Sequence, residues 1–270
     1  MDAAPEIADR DYDQLLRRLV ELETEYPEFD SEDSPSRKVG GQPIEGFESV
    51  DHRVPMLSIE NLFEEQEVTD WDSSVRDLLE EESPDYSVEY KIDGVALGLI
   101  YENGRLVRGV TRGNGMTGDD ITSNARIVGG VPLRLDSEAP PPVLEVRGEV
   151  IIQGEDFAAY QAGQIERGEE PFRNPRNAAA GALKLLDPKV ARQRSLRFLA
   201  HGVGYCEGVE WNTYLEFLNA IRHLGLPVTP NVGQARGCDQ LLQVIATMVE
   251  GVPELPFEVD GIVIKLNQLT

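Results

Sequence analysis

Apolar residues recur at three- and four-residue spacing between Asp9 and Tyr26. Tyr12, Leu15, Leu16, Leu19, Leu22 and Tyr26 therefore share one face of an expected helix that Asp9 can cap. From Pro27 to Gly46 the chain is polar, with Ser, Pro and Gly throughout, which predicts a linker or extended crossover. Val68 to Glu82 predicts a second helix, closed by Ser83-Pro84. The pattern then changes. Val88 to Ile100 is rich in strand formers, and Asn103-Gly104 predicts a two-residue type I′ hairpin whose return strand runs from Leu106 to Thr111. Leu144 to Ile152 alternates as another strand, Asp156 to Arg167 reads as a helix, and Leu196 to Gly202 as a strand. Trp211 to Leu224 predicts a helix ending at Gly225, and Phe257 to Leu266 a final strand. Strands and helices mix without regular βαβ alternation, so the expected class is α+β with largely antiparallel sheets. No internal repeat or long low-complexity tract interrupts it.

A length of 270 residues suffices for one large domain, or a domain with a small appendage. No apolar run approaches the roughly 20 residues that cross a bilayer, so no membrane association is expected. The N-terminus, with Asp2, Glu6, Asp9, Asp11 and Asp13, has the wrong sign for a signal peptide. The two cysteines, Cys206 and Cys238, form no CxxC pair, so neither a disulfide framework nor a zinc site is indicated. A cytoplasmic protein is the default expectation. The net charge of −24 argues against a nucleic-acid partner, because such binding relies on Lys and Arg neutralising phosphates. An acidic surface adapted to molar salt gives the same charge, and the scarcity of lysine favours that second reading. Charge alone therefore does not exclude DNA.

Of the 25 basic residues, the only lysines are Lys38, Lys91, Lys184, Lys189 and Lys265. Arg stays protonated at any working pH, whereas a lysine amine can lose its proton and attack. Lys91 lies in Glu89-Tyr90-Lys91-Ile92-Asp93-Gly94, between two acids at the end of an apolar run, and is the candidate nucleophile. Four other segments carry possible chemistry. Thr111-Arg112-Gly113-Asn114-Gly115 makes a loop that can approach a ligand closely, with Arg112 to clamp a phosphate or ribose, although a Gly-rich surface turn reads the same way. Glu145-Val146-Arg147-Gly148-Glu149 alternates charges on a strand, as a solvated face would. Asn174-Pro175-Arg176-Asn177 starts an Ala-rich helix, whose beginning suits anions, and a simple capped helix competes with that reading. Asp260-Gly261-Ile262-Val263-Ile264-Lys265 repeats the acid–Gly–apolar–Lys vocabulary, as an edge strand with a gatekeeping Lys also would.

In this order and spacing, these segments resemble the adenylation region of bacterial-type NAD⁺-dependent DNA ligases. The resemblance runs from about Ala4 to the end, and also takes in Ala4-Pro5-Glu6-Ile7, Tyr12-Asp13 and His52-Arg53-Val54-Pro55-Met56-Leu57-Ser58. It implies a nucleotidyltransferase fold over residues 47–270, preceded by a partial helical nicotinamide-side domain and linker over residues 1–46. Lys91 would attack the α-phosphorus of NAD⁺, releasing nicotinamide mononucleotide and keeping AMP on its side chain. Lys265 is the cation expected near the α-phosphate. Asp93 and Glu149 are expected to bind ribose or to place Mg²⁺. Glu89, Ser58 and Ile59 should contact the nucleotide, with Arg112 and Arg176 reaching ribose and phosphate. Val263 should cover one adenine face, and Asp9, Tyr12 and Asp13 should make the nicotinamide-side contacts. Nicked duplex DNA would be the partner of the full-length protein, and a monomer is expected.

The resemblance has departures. The resemblance leads one to expect an upstream Tyr-His helix, a last nucleotidyltransferase motif and OB-fold, helix-hairpin-helix and BRCT parts. The 270 residues do not include them, so a chain truncated at both ends is expected. Zinc is expected only in that absent C-terminal portion. Asn114 stands where the family usually has Asp, Lys184 where it has Arg, and His201 where a Tyr stacks on adenine. These changes bear on affinity; the truncations bear on turnover. The competing expectation is a catalytically incomplete fragment that binds adenylate without transferring it. An ATP- or GTP-using RNA ligase or capping enzyme would share the Lys-x-Asp-Gly logic but lack the Tyr12-Asp13 text.

Overall fold

The computed structural model describes residues 9–27, 46–185, 191 and 194–269. The first helix, α1 (Asp9–Glu25), matches its periodicity, and Leu15 and Leu22 on it are exposed. The Ala4–Ile7 text and the expected linker from residue 28 to 45 lie outside the described residues.

The strand-forming run Val88–Ile100 divides into β2 (Asp85–Ile92) and β3 (Val95–Glu102), which belong to different sheets. The break falls at Asp93-Gly94. A Cβ on Gly94 would lie 2.8 Å from the Val150 carbonyl oxygen and 2.9 Å from Cβ of Glu149. Only glycine lets the turn pass so close to the neighbouring strand. Strand β2 is the centre of a three-stranded antiparallel sheet, between β8 (Gly233–Arg236) and β9 (Val259–Leu266). Strand β3 lies in a four-stranded antiparallel sheet ordered β4 (Arg105–Thr111), β3, β6 (Val143–Ile151), β7 (Arg197–Glu207). A short pair, β1 (Ser49–Asp51) with β5 (Thr117–Asp119), completes the sheets. The β3–β4 hairpin turns at Asn103 and Gly104, with φ of 48° and 76°, as the Asn-Gly pair predicts.

Further α-helices among the described residues are α2 (Glu65–Leu79), α3 (Thr122–Ala125), α4 (Gly154–Glu166), α5 (Pro175–Leu183), α6 (Tyr214–His223) and α7 (Gly237–Gly251). Several ends differ from expectation, among them the start of α2 at Glu65 and the end of β7 at Glu207, and two have clear local reasons. Helix α2 stops short of Ser83-Pro84 because Glu80 takes a left-handed φ of 55°. Helix α6 begins at Tyr214 rather than Trp211 because Thr213 and Glu216 form a capping box. Strand β8 and helix α7 had no sequence expectation, although Leu241, Val244, Ile245 and Met248 recur at helical spacing.

Strand alternation then sorts the side chains. On β2, Tyr86, Val88 and Tyr90 pack with Val75 of α2 and with Leu241 and Met248 of α7. The intervening Ser87, Glu89 and Lys91 must therefore point to the opposite face, toward the four-stranded sheet. On that sheet, Leu144, Val146 and Val150 join a core with Ala178 and Ala182 of α5 and Phe217 and Ile221 of α6. Glu145, Arg147 and Glu149 take its other face. Each fully buried apolar side chain contributes roughly 1.5–3 kcal/mol. Two packed layers thus hold two polar faces toward one cleft.

Candidate active site

Lys91 stands near the end of β2, and its Nζ donates to Oδ2 of Asp260 at 2.6 Å. The β2–β9 register explains the contact. Lys91 pairs with Gly261 and Ile92 with Val259, so Asp260 is the extra residue of a bulge. A bulge re-aims a side chain, here toward the amine across the ladder. Ile59, Lys91, Asp260 and Val263 line one cavity of about 420 Å³, together with Phe63, Val68 and Trp71, and Val68 and Trp71 also pack against the core on the Tyr86–Tyr90 side of β2. Ile59, Lys91 and Val263 were expected to meet at a nucleotide; Asp260 was not singled out.

Glu89 and Lys265 form a second group. The Lys265 ammonium pairs with Oε1 of Glu89, donates to the His201 carbonyl at 2.7 Å and lies 3.0 Å from the Tyr214 hydroxyl. It also sits 4.2 Å from the Tyr214 ring centroid, a cation–π contact. The Tyr214 hydroxyl is 2.6 Å from Oε2 of Glu89. Glu89 is only 2% exposed, so its charge requires these partners. Burial pulls the Lys265 pKa below the usual lysine range, against the opposing pull of Glu89. Burial, then the Glu89 charge, pushes Tyr214 upward. By register Lys265 stands opposite Ser87 and Gly261 opposite Lys91. Lys265 therefore gathers with Glu89, away from the Lys91–Asp260 contact. Tyr214 had no sequence expectation; its signal was confined to its place after a Thr cap.

The remaining acids are also paired. Asp93 accepts from Arg176 at 2.9 Å, and Glu149 lies 3.5 Å from Nε2 of His201. Arg176 reaches Asp93 from the first turn of α5, which Asn174 caps by accepting from the Asn177 amide at 2.8 Å. Among the described residues, no group of three or more His, Cys, Asp or Glu could hold a metal ion.

Ser58 and Ile59 are exposed on a strap, residues 52–59, that lies outside any strand. The Arg112 loop is tied to this strap, since Met56 donates to the Gly115 carbonyl at 2.9 Å and His52 to that of Met116 at 2.8 Å. Among the described residues the Arg112 guanidinium has no hydrogen-bonding or ionic partner. Asn114 builds the loop, its Oδ1 accepting from the amides of Met116 and Thr117 at 2.9 and 2.8 Å. Carboxylate oxygens would accept the same bonds, so Asn for Asp preserves this turn. Lys184 pairs with Asp119 at 3.4 Å. Asp9, Tyr12 and Asp13 belong to α1, with side chains outside the described part.

Comparison with known proteins gives a consistent result. Residues 44–270 match the family described as the NAD-dependent DNA ligase adenylation domain. Residues 1–40 match the DNA ligase-like, N-terminal NAD⁺-binding domain. The DNA ligase of Hahella chejuensis is 43% identical over 268 residues, covering 98% of this chain and 39% of that protein. That of Halothermothrix orenii is 44% identical, with the same coverage of 98% and 39%. That of Rubrobacter xylanophilus is 46% identical, covering 99% and 39%. The chain thus spans about two fifths of the length of the curated relatives it matches. Among solved structures, mycobacterial DNA ligase D complexed with ATP and MES aligns at TM-score 0.37 and 15% identity, over 68% of this chain and 49% of that one.

Proposed function

The chain belongs to the NAD-dependent DNA ligases, as their adenylation domain, and from that premise we propose that Lys91 accepts AMP from NAD⁺ in the first step of nick sealing. The observation that carries the reading is the Lys91–Asp260 contact in the lining of a cavity that Ile59 and Val263 also line. A lysine must present a lone pair to attack phosphorus, and an acceptor 2.6 Å away both aims the amine and takes up its proton. The Nζ–P bond forms as the P–O bond to nicotinamide mononucleotide breaks. Phosphoryl transfer depends on positioning and charge, which suits a cleft lined by opposed ions.

Glu89 and Lys265 supply a carboxylate acceptor beside an ammonium donor. That pair complements the N6 amine and N1 of adenine, and it gives Lys265 a base-reading role in place of the α-phosphate contact expected from the resemblance. His201 and Val263 flank the base, Ser58, Ile59 and Arg112 contact it or its ribose from the strap and loop, and Arg176 reaches the phosphate. Mg²⁺ is a hard cation that takes a few carboxylates together with substrate phosphates. Asp93 and Glu149 have the donor chemistry to hold it, and bound there it would offset phosphate charge.

The two family matches support a division into a nicotinamide-side part, residues 1–46, and an adenylation domain, residues 47–270. Asp9, Tyr12 and Asp13 would serve the nicotinamide half. Nicked duplex DNA with 3′-hydroxyl and 5′-phosphate is the acceptor in the complete protein, as in repair or replication, and a monomer acts on it. Among the described residues no helix is long and apolar enough to cross a membrane; a cytoplasmic place is part of this reading. The acidic, lysine-poor composition supports adaptation to high salt.

The test is intact mass after incubation with NAD⁺ and Mg²⁺ in concentrated KCl, with ATP in parallel. A gain of one AMP from NAD⁺ alone is expected. No gain in a folded sample would make the chain an adenylate-binding piece without transfer.

A further inference from the structure

The charged strand Glu145-Val146-Arg147 is not a solvated face. Side-chain exposure is 5% for Glu145 and 12% for Arg147, and the two meet with Arg147 Nε 2.7 Å from Glu145 Oε1. The other arms of the guanidinium leave the sheet. One nitrogen donates to the Pro55 carbonyl at 2.9 Å and the other to the Val54 carbonyl. Glu145 is held from behind by the Tyr205 amide at 3.2 Å. A Cβ on Gly204 would come within 2.2 Å of the Glu145 carboxyl carbon, so the backbone there is kept bare to admit it. The Arg53 guanidinium stacks on the Tyr205 ring at 4.9 Å, which adds a second fastening of the strap to the same strand.

We propose that Arg147, braced by Glu145, is a positioning residue that fixes the strap carrying Ser58 and Ile59, and with it the Arg112 loop, over the nucleotide cleft. The inference rests on the reading that these residues meet the nucleotide. The strap has no strand partner at Val54 and Pro55, so its carbonyls need a donor that reaches them from the sheet. A guanidinium has a planar fork that can serve Glu145 and two carbonyls at once; an ammonium is a point charge without that geometry. Because Met56 bonds to Gly115 and the His52 ring to the Arg112 carbonyl at 3.1 Å, fixing the strap also fixes the loop. Arg147 bonds to Glu145 and to the strap carbonyls and does not line the cavity that holds Lys91. Its effect is to order two groups before binding, so its loss should fall on nucleotide affinity more than on chemistry.

The 270-residue chain with Arg147→Met, Arg147→Lys or Glu145→Gln is compared with wild type in three measurements. These are the NAD⁺ concentration for half-maximal lysyl-AMP formation, the maximal rate, and hydrogen exchange of the segment spanning residues 54–59. Arg147→Met should raise the half-maximal NAD⁺ concentration about tenfold while the maximal rate changes by less than about threefold. Exchange in the strap should quicken, and Arg147→Lys should restore only part of both effects. A folded Arg147→Met with unchanged NAD⁺ dependence overturns the proposal, even if its melting temperature falls. Should Arg147→Met not fold, Glu145→Gln, which keeps the shape and frees the guanidinium, decides by the same criteria. If the wild type takes up no AMP, the function reading fails, and unchanged strap exchange in the variants then overturns the positioning role separately.

Discussion

Lys91 Nζ and Asp260 Oδ2 lie 2.6 Å apart although 169 positions separate the residues in sequence. A bulge opposite Lys91 turns the Asp260 carboxylate toward the amine, so the acid and the nucleophile are set by strand register rather than by neighbouring sequence. Lys91→Arg should therefore abolish covalent AMP while the fold is retained, because guanidinium does not deprotonate. Asp260→Asn should keep the lysine and slow its labelling at least about 100-fold, the usual scale for a positioned proton acceptor. Mass spectrometry over time distinguishes the two, and normal labelling in either variant contradicts the assignment.

The Glu89–Lys265 pair predicts a different pattern, seen in stability. Lys265→Met leaves a nearly fully buried carboxylate with Tyr214 alone, and should cost about 3 kcal/mol. Adding Glu89→Gln removes the stranded charge, so the double variant should be more stable than Lys265→Met. Urea titrations at fixed KCl check the order. A double variant weaker than the single one would mean that the two residues are not energetically paired.

Three buried phenols set the response to alkali. Burial pushes Tyr86, Tyr101 and Tyr214 above their ordinary value of 10.0. A folded-state pKa above the unfolded one gives stability that is complete below pH 10 and is lost as pH rises beyond it. The chain should lose stability steeply above about pH 10, where unfolding releases phenol protons that the fold retains. Tyr101→Phe, which gives up the bond to the Pro132 carbonyl at 2.9 Å, should flatten this slope. Circular dichroism followed against tyrosinate absorbance tests it: the exposed phenols ionise first, and ionisation of the full set of eight before unfolding would contradict it.

Much of this was legible in the chain because it is local. The Asn103-Gly104 turn, the Asn174-Pro175 helix start and the α1 periodicity each depend on a few adjacent residues. Lys91 could be named because a lysine-poor chain keeps it between two acids, whereas Glu89, Val263 and Lys265 were named only through the family resemblance. Asp260 escaped because its aim comes from a bulge, a property of two strands together. Tyr214 escaped because the contacts to Glu89 and Lys265 join residues 125 and 51 positions away. The Glu145–Arg147 pair looked solvated because alternation gives the face of a strand, not what covers that face. The division of Val88–Ile100 between two sheets was hidden for a similar reason, since it depends on how closely β6 passes Gly94.

Gly94 offers a steric test of that division. Gly94→Ala brings a methyl group within 2.8 Å of the Val150 carbonyl and 2.9 Å of Glu149 Cβ. Overpacking of this kind typically costs about 1–3 kcal/mol. The strain falls between Asp93 and Glu149, so lysyl-AMP formation should suffer even where the protein still folds. Labelling at temperatures well below the variant's melting point isolates this effect, and wild-type rates there would show that the turn tolerates a side chain.

Salt tests how the whole surface is made. The net charge of −24 places a large self-repulsion on the folded chain in dilute buffer. The Debye length falls from about 10 Å at 0.1 M to about 3 Å at 1 M, so molar KCl removes most of the repulsion between exposed acids. Buried pairs such as Glu89–Lys265 are screened much less, and the apolar cores do not depend on charge. Melting temperature should therefore climb with KCl toward molar concentrations, mainly because surface carboxylates stop repelling one another. Lys91 labelling should rise in parallel as the folded fraction rises. Circular dichroism melts in KCl and in equal ionic strength of tetramethylammonium chloride separate general screening from specific ion uptake. A chain equally folded and equally stable in dilute buffer would remove the support for salt adaptation, and the acidic composition would then need another cause.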